Sequence, residues 1–208
     1  MSVFLTNDQI IESYNLEIEN RIKKYESLDF ESFHPEVLPY LPTPPAHVLD
    51  IGAGSGRDAA FLVKKGFQVT AVEPAKRLLE AAQKRHAGIK ISWAEDRLPE
   101  LAKLPSPPAQ YDVILLSAVW MHLSSKERKK AFSRVSELLK HNGIIIFSYK
   151  IGGKEEEGFY KIDTAQFDTR AHKVGLELLS QNINLDSLGR SELSWRCCIF
   201  KKNSISKT

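Results

Sequence analysis

The residues of this chain with the type and spacing for chemistry begin at Asp50, in Val48-Leu-Asp-Ile-Gly-Ala-Gly-Ser-Gly-Arg57. A short apolar run leads into glycines at alternate positions, Gly52, Gly54 and Gly56, and a helical pattern follows. A strand entering a glycine turn and then a helix leaves backbone N–H groups facing whatever lies over the strand end. Glycine suits the turn because a Cβ would hold a ligand off the backbone and because such turns often need a positive φ. The stretch is therefore expected to seat a nucleoside-bearing cofactor. Glu73 ends the next apolar run, 17 residues beyond Gly56 (73 − 56). A ribose diol offers two donors and one carboxylate accepts both, so Glu73 reads as a ribose clamp. The competing reading makes Glu73 a helix cap with Pro74 at the first helical position. Asp50 is an acid at a buried strand end, where it must find donors.

Alternating strands and helices must position these groups. Strands are expected over residues 47–51, 68–72, 89–93, 112–117 and 144–149, with helices over 57–65, 74–86 and 125–140 between them. A short helix is expected at 98–103. Five such units mean a parallel sheet with helices on both faces. Thr6-Asn-Asp-Gln9 would cap one amphipathic helix over 7–26, and a short helix is expected around 35–41 in a proline-punctuated lead. After a Gly- and Glu-rich loop (152–158), a helix over 163–174 precedes strands 176–182 and 193–201. With no helix between them these two strands should run antiparallel. The whole of 1–208 reads as one domain, with 1–45 as an N-terminal helical extension.

Composition excludes several classes. The 208 residues are 42% hydrophobic and 26% charged, with a net charge of +3 that gives no nucleic-acid footprint by itself. No apolar run is long enough to span a membrane, and the first residues lack the pattern of a signal peptide, so a cytoplasmic location is the default. Cys197 and Cys198 are adjacent in a strand-like run and suggest apolar packing. The six histidines are scattered, which predicts no metal site. The oligomeric state is unreadable, and a monomer is compatible with everything above.

Two cofactors use such a turn. Gly54-Ser-Gly56-Arg-Asp-Ala59 fits the G-x-G-x-x-A of nicotinamide dinucleotide enzymes. The fuller Asp50-Ile-Gly52-Ala-Gly54-Ser-Gly56 resembles motif I of the class I S-adenosylmethionine-dependent methyltransferases. Ala71-Val-Glu73-Pro74, Ala94-Glu-Asp96-Arg97-Leu-Pro99, the run Tyr111 to Leu123 and Asn142-Gly143 extend the resemblance over roughly residues 10–201. It implies S-adenosylmethionine as cofactor and an α/β, Rossmann-like three-layer sandwich, its seven-stranded, mostly parallel sheet holding one antiparallel strand in a C-terminal hairpin. It also implies that Glu73 takes the ribose hydroxyls, and that Asp96 and Arg97 lie in the adenine segment, where Glu95 competes with Asp96. Asp50 supports the turn or meets the methionine ammonium. Arg57 meets the methionine carboxylate or is a solvated first-turn residue. Ser117 lies in the segment that passes beneath the donor methyl. Tyr14 and Tyr25 resemble N-terminal aromatics that close over the cofactor in some relatives, and otherwise read as helix-core residues.

Past the fourth strand, His122 is either a general base or a helix-start or packing residue, and Trp120 either walls an acceptor pocket or belongs to the core. The basic run 126–130 reads as a solvated helix face or an anion or RNA contact. By the family analogy, the acceptor of a compact enzyme without a recognition domain is a small molecule. An oxidoreductase and a non-catalytic cofactor-binding module are the competing readings.

Overall fold

The computed structural model of the chain describes residues 5–104, 110–152, 158–186 and 193–203. The Gly- and Glu-rich loop over 152–158 lies mainly outside these residues. Seven strands form one sheet in the order β3-β2-β1-β4-β5-β7-β6: β1 (His47–Ile51), β2 (Gln68–Val72), β3 (Ile91–Ala94), β4 (Tyr111–Ser117), β5 (Leu139–Gly152), β6 (Leu176–Leu185) and β7 (Leu193–Lys202). β1 to β5 pair in parallel, and β7 is antiparallel to both of its neighbours. The expected seven-stranded, mostly parallel sheet is therefore the one observed.

The apolar run of β4 explains its central place. Val113 and Leu115 enter one core layer with Phe30, Leu62 and Ile146, while Ile114 and Leu116 enter the other with Phe132, Phe147 and Phe167. Alternate residues bury on opposite faces, as the middle of a covered parallel sheet requires. The chain steps from β1 outward to β2 and β3, then returns across β1 to β4. Ligands in open α/β sheets bind where the strand order reverses, outside the carboxyl ends of the strands.

The helices are α1 (Asn7–Tyr14), α2 (Ile18–Tyr25), α3 (Phe30–Phe33), α4 (Arg57–Lys64), α5 (Lys76–Arg85), α6 (Ser125–Leu138) and α7 (Thr164–Lys173). Among the described residues none is long and apolar enough to cross a membrane.

Four helix expectations need correction. The single helix over 7–26 is two, broken at Glu17 with φ 50°. The break frees Asn15, whose side-chain oxygen accepts from Arg77 N–H at 2.9 Å and so caps α5 in place of the incapable Ala75. α5 starts at Lys76 rather than Pro74, because Ala75 N–H is drawn to the Glu73 carboxylate at 2.9 Å. Residues 98–103 form turns instead of a helix, folded around Asp96, whose oxygens accept from Arg97 and Lys103 N–H. The lead into β1 holds α3 and a 3₁₀ turn at Leu38–Tyr40.

Candidate active site

A cavity of about 390 Å³ opens at the carboxyl ends of β1 and β4, where the strand order reverses. Its floor is the turn Asp50–Ser55, its walls are Glu73, Pro74 and the segment after β4, and α1 and α2 lie across it. The turn is locked from within. Gly52 and Ala53 N–H both donate to Val72 O, Gly54 N–H donates to Glu73 Oε2 at 2.9 Å, and Gly56 N–H donates to Ala53 O. Gly52 has φ +74°, and a Cβ there would meet the Val119 side chain at 2.3 Å. Gly56 is a correction: it does not line the cavity. A Cβ on it would strike Trp93 at 2.5 Å, so its glycine serves helix–strand packing.

Two acids face the cavity from the strand ends. Asp50 is 2% exposed and its Oδ2 has no hydrogen-bond partner. Burial first, and then the neighbouring Asp58, push its carboxyl well above the usual range. Such a group calls for a donor, preferably cationic, from whatever fills the cavity. Glu73 is 5% exposed and pushed up to about 7 by burial, against the pull of its bonds from Ala75 and Gly54. Each oxygen holds one backbone donor and keeps a second lone pair for a ligand. Asp58 shows the opposite environment: His34 and Arg57 hold it well below the usual carboxylate range despite burial.

Arg57 is not a solvated residue. Its Nε donates to Asp58 at 2.7 Å, its Nη1 to Tyr25 O at 3.0 Å, and its guanidinium lies over Phe33. Tyr14 and Tyr25 both line the cavity, as do Asp96 and Arg97, while Glu95 points to solvent. Arg97 also pairs with Asp8 at the start of α1. Ser117 reaches the cavity from the end of β4, with Oγ 3.3 Å from His34 Nε2, which is 3.2 Å from Asp58.

At the far end Tyr14 and His122 meet, Oη to Nε2, at 2.9 Å. His122 Nδ1 is 2.9 Å from Gly158 O. A carbonyl only accepts, so Nδ1 carries the proton and Nε2 accepts from the Tyr14 hydroxyl. Burial holds His122 below its usual range, and pushes the Tyr14 hydroxyl up. Trp120 is a correction. It is fully buried, packed edge-on against Phe132 and Phe147, and its neighbour Phe167 completes the aromatic cluster. The tryptophan that walls the cavity is Trp195, beside Lys150, its cross-strand partner on β5. Strand alternation from Cys197 could have placed Trp195 on that face, but nothing in the local sequence says that the face is lined rather than filled.

The basic run is also corrected. Lys126, Lys129 and Lys130 are exposed, whereas Arg128 turns inward and is 6% exposed.

Residues 48–143 match the family model of a methyltransferase domain. An uncharacterized methyltransferase of Bacillus licheniformis is 33% identical over 109 residues, covering 49% of this chain and 46% of that protein. The chain spans about half the length of the curated relatives it matches. The solved [4+2]-cyclase SpnF superposes with a TM-score of 0.75 at 13% identity, covering 96% of this chain and 98% of that one. A putative S-adenosylmethionine-dependent methyltransferase from Listeria monocytogenes gives 0.68 at 15% identity, covering 82% and 98%. At these identities the superpositions speak for the fold. Together with the sequence match over residues 48–143, they make the chain similar to the class I S-adenosylmethionine-dependent methyltransferases.

Proposed function

We propose that the chain binds S-adenosylmethionine and transfers its methyl group to a small molecule whose nucleophilic atom carries a proton. The observation that carries this reading is the buried, unpartnered Asp50 oxygen facing the cavity. It fits the ammonium of a methionine moiety, and the free lone pairs of Glu73 fit a ribose diol. Asp50 does not fit a dinucleotide, because an acid beneath the turn would repel a pyrophosphate and the turn's Gly52, Ala53, Gly54 and Gly56 N–H groups are already engaged. Asp96 and Arg97 stand where the adenine would be held, and Arg57, fixed by Asp58 and Tyr25, stands ready for the methionine carboxylate. When bound, the cofactor supplies an electrophilic methyl on a sulfonium.

The chain's part is alignment, exclusion of water and handling of one proton. Tyr14 and Tyr25 cover the cavity from α1 and α2 and keep solvent out. The Tyr14 hydroxyl takes the acceptor's proton as its own moves to His122 Nε2, and Gly158 O holds the resulting imidazolium through Nδ1–H. Among the described residues Ser117, Lys150, Phe159 and Trp195 line the side away from Glu73 and are assigned to the acceptor.

Calorimetry with S-adenosylmethionine and NADH side by side tests the cofactor; binding of NADH alone would end this reading. Incubation of methyl-labelled cofactor with fractionated small-molecule, protein and RNA extracts tests the transfer. Label in the small-molecule fraction is expected, and failure to label any fraction would favour a non-catalytic binding module.

A further inference from the structure

Arg128 is a cation where helix patterning asks for an apolar residue. It sits on the inner face of α6 with Ala131, Phe132 and Val135, all buried. Among the described residues no carboxylate lies within salt-bridge distance of it. Burial pushes its guanidinium down to about 10. An apolar side chain of similar volume would avoid that desolvation.

What the guanidinium does is hold three carbonyls. Nε donates to Trp120 O at 3.2 Å, Nη2 to Tyr160 O at 2.8 Å and Nη1 to Lys161 O at 3.0 Å. The first carbonyl belongs to the 3₁₀ turn Trp120–His122, which carries the imidazole. The other two belong to the segment that carries Gly158 and Phe159. The same two segments meet again where Tyr160 N–H donates to Met121 O at 2.7 Å. Tyr160 also reaches the N-terminal segment, its hydroxyl donating to Leu5 O at 3.1 Å. His122 keeps its Nδ1–H only while Gly158 O stays in place, and Arg128 ties the two together from behind without lining the cavity. The planar fork of a guanidinium can satisfy three splayed carbonyls, whereas an ammonium on one stem cannot match that spread.

We infer that Arg128 is a positioning residue, clamping the His122 turn to the Gly158 segment so that the imidazole presents a bare Nε2 to Tyr14. The inference rests on the proposed proton-handling role of the Tyr14–His122 pair, but its test needs no acceptor. In the full-length chain, ¹⁵N resonances of the imidazole, assigned by their loss in His122→Gln, report which nitrogen is protonated. Wild type should show protonated Nδ1 and bare Nε2. Arg128→Met should lose this fixed tautomer, and Arg128→Lys should lose it in part. S-adenosylmethionine should bind both variants within about threefold of wild type, because no Arg128 bond reaches Asp50, Glu73 or the glycine turn. Folded variants with unchanged His122 resonances would overturn the inference. So would failure of both to fold, which would make Arg128 a residue of the core alone. Absence of methyl transfer to any acceptor would sink the proposed function and leave the tautomer result standing.

Discussion

The two ends of the cavity are built differently. At the end proposed for the donor, Gly54 N–H and the Glu73 carboxylate fix each other, and Val72 O holds Gly52 and Ala53, all within the 24 residues from Asp50 to Glu73 (73 − 50 + 1). At the end proposed for the acceptor, Tyr14 and His122 are 108 residues apart, and the wall adds Lys150, Phe159 and Trp195 from two strands and a loop. The donor end is set by strand pairing that the fold cannot do without. The other end also needs α1, which brings the Tyr14 hydroxyl to His122.

The comparison fails if damage at one end spreads equally to the other. His122→Ala offers the largest effect. Loss of a positioned proton acceptor should cut kcat by about 10²- to 10⁴-fold with the acceptor found by labelling. Cofactor affinity, read by calorimetry, should move by less than about threefold. Because burial lowers the imidazole pKa, the wild-type rate should fall only as pH drops below the ordinary histidine range. Asp50→Asn is the counterpart. It keeps the side chain's size and removes the charge meant for the ammonium, so S-adenosylmethionine should bind about 30-fold more weakly. The free protein should melt no lower, since a strained buried carboxyl is gone. A drop in melting temperature with affinity intact would make Asp50 a support of the turn and nothing more.

The same contrast explains what the sequence could reveal. Strands β1, β2 and β7 are legible because burial on both faces, or strict alternation, leaves a pattern in a single stretch. Asp50 and Glu73 are legible because a strand end followed by a turn fixes which side chain faces the crevice; the choice between Glu95 and Asp96 is not, because the register there is ambiguous by one residue. The break at Glu17 is not, because it depends on Asn15 capping a helix 62 residues away. Arg128 hid in a basic run whose neighbours do face solvent. Trp120 and Trp195 each follow or form part of a strand; only the packing of Phe132, Phe147 and Phe167 decides which is filled in and which is left lining a cavity.

A third expectation concerns pH. Glu73, raised to about 7 and almost fully buried, is partly protonated near neutrality in the free protein. Binding a cationic cofactor through the carboxylate should weaken by about tenfold from pH 8 to pH 6, with proton uptake by the free chain. A raised carboxyl adds stability that is complete below its unfolded value and lost as pH rises through about 7. Glu73 therefore costs the free protein roughly 3 kcal/mol at pH 8. Asp58 acts with the opposite sign, its depressed carboxyl stabilising the fold above the usual carboxylate range and losing that in acid. Melting curves with and without saturating cofactor separate the two. The Glu73 limb should vanish when cofactor is bound, and the Asp58 limb should persist. Affinity flat between pH 6 and 8 would remove the ionised Glu73 from the donor end.

The smallest effect separates the two tryptophans. Trp120 Nε1 is buried with no hydrogen-bond partner, inside a cluster of phenylalanine edges. Trp120→Phe deletes that orphan donor, a gain of about 1–3 kcal/mol, and leaves a void that costs a similar amount. The net change in stability should be within about 1 kcal/mol, with cofactor affinity and kcat both unchanged. Trp195 Nε1 donates to Asp186 at 2.8 Å, and its ring stands 6.4 Å from Phe33. Trp195→Phe therefore removes a bonded donor from the acceptor wall, and KM for the acceptor should rise by several-fold while cofactor affinity holds. A Trp120 variant that altered KM more than the Trp195 variant would place the acceptor on the core side of β4, against the rings of Phe132, Phe147 and Phe167.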